Sequence, residues 1–152
     1  MALTDILVIS GQSGLFKYVS QGRNSVIVES LVDNKRTTIP ASSKISMLED
    51  IAVFTEKEDI PLREVLIKMQ TKENGAPAIS HKSPDAELKK YFTEVLPEYD
   101  KDRVYVSDIR KMVQWYNFLI ELGITEFSSP KDDLKEEDKK EVEEVATNNE
   151  NS

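Results

Sequence analysis

Apolar residues along the first sixty positions come in short bursts with an alternating beat, and from residue 62 onward the beat becomes helical. "ILVIS" at Ile6–Ser10 breaks at "GQSG", where Gly11 and Gly14 allow the backbone to turn. "LFKYVS" sets Leu15, Lys17 and Val19 against Phe16 and Tyr18, the period of a half-buried strand. After a turn at Gln21–Asn24 comes "SVIVESLV", then Asp33-Asn34, a pair suited to a tight hairpin. "KRTTI" returns as the partner strand and stops at Pro40. "SMLE" at Ser46–Glu49 has the spacing of a capping box on a single helical turn, and "IAVFT" at Ile51–Thr55 completes the series. The pattern predicts five short strands, forming either a small, strongly bent antiparallel β-sheet or an SH3-like barrel.

Leu62, Val65, Leu66 and Met69 then fall at i, i+3, i+4 and i+7, with Pro61 tolerated in the first turn. This stripe predicts a helix that covers the preceding sheet, and residues 1–72 are read as one small β-domain. Gly75, Pro77 and Pro84 break the period, so 73–83 reads as a linker. A helical unit is expected over 84–127. Ser83 is placed to cap its first helix, with Leu88, Tyr91, Phe92, Val95 and Tyr99 on one face and Pro97 near the end. Ser107 is placed to cap the next helix, which carries Ile109, Met112, Val113, Tyr116 and Ile120. Trp115, Phe118, Leu119 and Leu122 widen that stripe until the helix is apolar on most sides, the mark of a buried helix. Gly123 stands where a left-handed C-terminal cap belongs, with Ile124 able to make the accompanying apolar contact. From Ser128 the apolar residues are only Leu134, Val142, Val145 and Ala146, so 128–152 is expected to be a disordered acidic tail. The fold class is α+β.

Composition narrows the function classes. The 152 residues are 39% hydrophobic and contain no cysteine, which removes disulfides, thiol nucleophiles and Cys-based metal sites. No apolar run approaches the roughly 18–20 residues that span a bilayer. The first residues lack the basic start of a signal peptide, so no membrane association and a cytoplasmic location are expected. The net charge of −8 is uneven: residues 128–152 hold 9 acidic and 4 basic residues, and the rest of the chain is close to neutral. That is not the basic excess of a dedicated nucleic-acid binder.

The motifs that suggest chemistry do not survive their spacing. In "YDKDRVYVSDIRKMVQWY", Asp100 and Asp102 could begin a calcium loop, but Tyr105 stands where glycine is required and Lys111 where a bidentate glutamate is required. Ion pairing of Arg103 with Asp100 or Asp108 is the simpler use of those charges. Arg110, Gln114 and Asn117 share a helix face and are residue types that reach base edges, yet a buried helix also needs one polar strip. The lone His81 has no fixed partner for acid–base work. No cofactor or metal is implied and no catalytic residue is assigned.

One local cluster remains. Lys17, Arg23, Lys35 and Arg36 gather near the predicted turns with Phe16 and Tyr18 close in sequence, a basic-plus-aromatic combination that small sheets use to bind peptides or nucleic acid. Cations that blunt a sheet edge would look the same. Trp115, Phe118 and Leu122 form a second candidate surface, for self-association, because helix 107–122 is too apolar for a two-helix unit to cover completely.

Three blocks in order, "ILVISGQSGLFKYVSQ…SVIVESLVDNKRTTIPA", "LEDIAVFTEKEDIPLREVL" and "ELKKYFTEVLPEYDKDRVYVSDIRKMVQWYNFL", resemble a small uncharacterised bacterial family known as a domain of unknown function. The likeness runs from Leu3 to Leu122. It implies a small sheet followed by helices, and it carries no activity, ligand or functional residue. The expectation is a non-enzymatic cytoplasmic interaction module that engages a protein or nucleic-acid partner through the small β-domain. The alternative is a structural homo-oligomer built on the 107–122 helix.

Overall fold

The computed structural model of the chain describes residues 3–12 and 14–127, so the expected acidic tail at 128–152 lies outside the described residues. Five strands make an antiparallel sheet: β1 (Ile6–Ile9), β2 (Phe16–Gly22), β3 (Ser25–Ser30), β4 (Arg36–Pro40) and β5 (Ile45–Met47), in spatial order β4-β3-β2-β1-β5. Period-two alternation is cleanest in β1, which is covered on both sides. Ile6 and Val8 face the main core, while Leu7 and Ile9 join a smaller cluster with Phe16, Val28 and Ile39. The sheet bends around that smaller cluster but stays open. β4 and β5 are its edges and share no ladder, although only residues 41–44 separate them. The expected SH3-like barrel is corrected to an open sheet: β1 and β5 have four and three residues, too few to carry the ladder round to β4.

The fifth strand of the sheet does not come from Ile51–Thr55. That segment forms β6 (Ala52–Phe54), which pairs with β7 (Asp59–Pro61) in a separate two-stranded hairpin. Thr55, buried at the turn, accepts the N–H groups of Lys57 and Glu58 on its hydroxyl. Nor does Ser46 cap a helix. It sits within β5, and a 3-10 turn (Leu48–Asp50) follows with Met47 at its N-cap.

Three helices complete the fold: α1 (Leu62–Glu73), α2 (Asp85–Val95) and α3 (Val106–Glu121). Leu62, Val65, Leu66 and Met69 are fully buried, as their spacing requires. Pro61 is the N-cap of α1. The serine caps are displaced by one and two residues. Pro84 occupies the N-cap of α2 and Tyr105 that of α3, where the Asp108 carboxylate accepts the Tyr105 N–H at 3.0 Å. Gly123 has φ of 77°, which a side chain would oppose. There its N–H donates to the Ile120 carbonyl and the Ile124 N–H to the Leu119 carbonyl, closing a Schellman cap over buried Ile124.

One main core gathers Leu3, Ile6, Leu15 and Leu48 from the first half with Leu66, Phe92, Tyr116 and Phe127 from the second. The segment 73–83 runs along α3 and is tied to it. The Tyr116 hydroxyl donates to the Ala76 carbonyl at 2.7 Å. Asn117 accepts the Ala78 N–H at 2.7 Å and donates to the Ile79 carbonyl at 2.9 Å. Arg110 donates to the carbonyls of His81 and Ser83 and pairs with Asp85 at 2.7 Å. Two of the three side chains on the polar face of α3 therefore hold this strap in place. An Asn117→Ala substitution strands a backbone donor and acceptor, so it is expected to cost about 1–3 kcal/mol in urea denaturation and to speed amide exchange at Ala78.

Candidate functional site

The six sheet residues suggested by sequence do not form one face. Directly paired residues in an antiparallel ladder share a side, so Lys17, Glu29 and Arg36 form a row across β2, β3 and β4. Lys17 approaches Glu29 at 3.1 Å and Arg36 approaches it at 3.3 Å. These two hydrogen-bonded cations hold the Glu29 carboxyl below the usual carboxylate range, Lys17 contributing most. Phe16 and Tyr18 point to the opposite side of the sheet. Phe16 is buried in the smaller cluster, and Tyr18 is 54% exposed beside Leu7 and Met47. Arg23 and Lys35 occupy the turns at opposite ends of β3.

The three helix residues also separate. Trp115 and Phe118 pack partly against the main core. Leu122 is 42% exposed and borders a shallow space of about 250 Å³ with Lys17, Glu29 and Ile124.

A different site emerges where the hairpin meets α3. A groove of about 260 Å³ runs between Ile51–Phe54 on one side and Asp108, Lys111, Met112 and Trp115 on the other, with Val104 between them. Ile51 and the three residues of β6 all line the groove although strand side chains alternate between faces, so it follows the strand's edge. The register of β6 says which backbone groups meet it. The Leu62 N–H donates to the Ile51 carbonyl at 2.7 Å, so the Ile51 carbonyl and the peptide groups of Val53 face β7, while the Ile51 N–H goes to Leu48 and Ala52, opposite Pro61, turns its own groups away. Phe54 has the same outward phase, and its carbonyl is taken by the Asp100 N–H at 3.0 Å. Ala52 is exposed, its N–H and C=O point away from β7 in that register, and no turn, loop or cap hydrogen bond among the described residues takes them.

One wall of the groove is braced by charge. Arg103 lies 4.4 Å from the centroid of the Phe54 ring, donates to Asp100 at 2.8 Å and approaches Asp59 at 3.7 Å. That hydrogen bond is the largest cause of the lowered Asp100 carboxyl pKa, with the Asp102 N–H next. Asp100 of the rejected calcium loop thus serves an arginine and a tight turn, with Asp102 contributing its N–H. Among the described residues no group of three His, Cys, Asp or Glu side chains is placed to hold a metal ion. No helix among them is long and apolar enough to cross a membrane.

Sequence reasoning missed this groove. Its usable signal was Pro61 at the end of β7, which fixes the phase of the partner strand, and the solitary Trp115 on a helix already crowded with apolar residues.

Comparison with known proteins gives the chain its relatives. A solution NMR structure of a Bacteroides vulgatus protein is 48% identical, with a TM-score of 0.66 over 82% of this chain and 90% of that one. The chain belongs to the family of that protein. Residues 3–48 match a family model described as a domain of unknown function (DUF5606), and residues 51–119 match another so described (DUF6852). No curated protein matches. The family resemblance read from the three sequence blocks is thereby shown. The two matched stretches meet at the 3-10 turn, so the groove, formed by β6 and α3, lies wholly within the second.

The Glu29 row makes a test by pH. A folded-state carboxyl pKa below the unfolded value near 4.5 contributes stability above that pH, and the contribution is lost as pH falls through the folded value. Glu29→Gln is therefore expected to flatten the acid limb of stability below about pH 5 and leave its slope above about pH 6 unchanged, as read by thermal denaturation across that range.

Proposed function

We propose that this protein is a non-enzymatic, cytoplasmic protein-interaction module that binds an extended segment of a partner protein in the groove between β6 and α3. The observation that carries this reading is the outward-facing peptide of Ala52. A strand edge with a free N–H and C=O is satisfied by an added strand, and the neighbouring groove takes an alternate side chain of that strand. A volume of about 260 Å³ suits one large aliphatic or aromatic side chain, and Trp115, Met112 and Phe54 offer it apolar contact. Of the two charged residues lining the groove, Asp108 is engaged by the Tyr105 N–H, and Lys111, exposed on the rim, favours a carboxylate beside that anchor. The β6 edge is occupied by Asp100 at its far end, which limits the added strand to a few residues and favours modest, reversible affinity. The lack of cysteines supports the cytoplasmic location.

Nucleic acid is the weaker partner, because Lys17 and Arg36 share one glutamate and the other two cations stand at opposite ends of a strand. Self-association is weaker too, because Trp115 and Phe118 already lean on the core.

Panning a random peptide display library against the full chain tests the reading, with emission from Trp115, the single tryptophan, reporting binding. Selected peptides are expected to carry a large apolar residue next to an acidic one. They should lose at least about tenfold in affinity on Ala52→Pro, the order set by one hydrogen bond to an otherwise unsatisfied backbone group. Proline is tolerated at the first position of an edge strand, where it removes no internal hydrogen bond. Binding indifferent to both Ala52→Pro and Trp115→Ala, the latter read by titration calorimetry because it removes the reporter, would overturn the assignment.

A further inference from the structure

We propose that the partner segment taken by this groove is a free amino terminus, seated antiparallel to β6 with a large apolar first residue as its anchor. The inference rests on the groove reading and names the end of a chain that the groove selects.

The outer edge of β6 already carries the beginning of another strand. The Glu56 N–H donates to the Glu98 carbonyl at 2.8 Å and the Asp100 N–H to the Phe54 carbonyl at 3.0 Å, with Tyr99 opposite Thr55 in an antiparallel bridge. Residues 98–100 therefore run along this edge from Glu56 toward Ala52. At Asp100 the line breaks. Its carbonyl accepts the N–H groups of Arg103 at 3.2 Å and Val104 at 2.8 Å, and the chain turns off into α3. The places opposite Val53 and Ala52 are where that strand would have continued, and the groove follows the same edge.

A segment that fills those places in the same direction has Asp100 directly ahead of its first residue. A chain that begins opposite Val53 fits, whereas one passing through must first bend out over the Asp100 turn. A segment laid the other way along β6 ends at that turn and brings a carboxyl terminus to it. Charge separates the two directions. The carboxylates of Asp59, Asp100, Asp102 and Asp108 and the cations Lys101, Arg103 and Lys111 stand around this end. Arg103 is engaged by Asp100 at 2.8 Å and Asp59 at 3.7 Å, and Asp108 accepts the Tyr105 N–H through one oxygen. Carboxylates outnumber cations there, which favours an incoming ammonium over an incoming carboxylate.

The ladder also orders the side chains. Directly opposed residues share a side, so the first residue lies on the side of Val53, which is buried in the main core with Val104 and Met112. Both of these line the groove. The second residue exchanges its two hydrogen bonds with Ala52 and shares that residue's exposed side. The apolar anchor is thus the first residue, and the acidic neighbour that Lys111 favours is the second.

The test pans three libraries against the full chain, with the random residues at a free amino terminus, at a free carboxyl terminus, or between fixed flanks. Ligands are expected from the first library, with a large apolar residue leading. In titration calorimetry, acetylating the amino group of a selected peptide, or extending it there by Gly-Ser-Gly, is expected to weaken binding at least about tenfold, the order of one charge-assisted hydrogen bond. Ligands from the other two libraries, or ones that bind equally well when acetylated, would overturn the amino-terminal assignment. Provided Ala52→Pro still weakens them, the groove reading stands. Ligands from any library that are indifferent to both Ala52→Pro and Trp115→Ala remove the groove reading, and this inference with it.

Discussion

Pro61 has no N–H, and that single absence sets the phase of the hairpin on which the candidate site depends. A proline can lie in an antiparallel pair only where its nitrogen points away from the partner strand. In β7 this puts Pro61 opposite Ala52 in a pair without hydrogen bonds, while Ile60 with Val53 and Leu62 with Ile51 take the bonded positions. The same residue closes the strand and caps α1, so the helix begins at once and its first N–H locks the register. A slip of one residue would turn the Ala52 peptide inward and exchange the side chains that line the groove.

The groove exists because α3 demands more cover than the rest of the chain supplies. Its inner face, with Ile109, Met112, Val113, Tyr116 and Leu119, is buried against α1, α2 and the first half of the chain. Each such side chain contributes roughly 1.5–3 kcal/mol, far beyond the 0–1 kcal/mol of an exposed ion pair. The 73–83 strap crosses its polar face, tied by Arg110 and Asn117, and leaves Gln114 exposed. The remaining side, marked by Lys111 and Trp115, meets only the edge of β6 and is left half open. Bracing of Phe54 by Arg103 keeps the far wall upright. Open strand edge and open helix side thus come together as one consequence of packing.

Much of the architecture was legible because it follows from period and turn chemistry. Apolar spacing located α1, α2 and α3, and Asn34 and Gly123 take the positive φ expected at their turn and cap. Where reading failed, a tertiary pairing outweighed a local signal. Ser46 and Glu49 have the spacing of a capping box, but β1 had a vacant edge that residues 45–47 fill as a strand. Ser107 lost its cap to Tyr105, whose N–H Asp108 accepts, and Ser83, its carbonyl held by Arg110, lies one residue before the N-cap Pro84. The proposed cationic face dissolved through an irregularity at Val19. A regular hairpin from the Gly22–Ser25 pair would set Lys17 against Ser30, and the register shift between Tyr18 and Ser20 sets it against Glu29 instead. One inserted residue brings Lys17 to the glutamate that Arg36 already faces across β3 and β4. Nothing in the composition announces such a bulge.

The β6–β7 register itself is open to direct observation by NOE spectroscopy of the full chain in solution. Residues facing each other without hydrogen bonds bring their α-protons closest. Strong α-proton to α-proton contacts are expected between Ala52 and Pro61 and between Phe54 and Asp59. If the strong contact joined Val53 and Ile60 instead, the Ala52 peptide would point at β7 and the candidate site would lose its free edge.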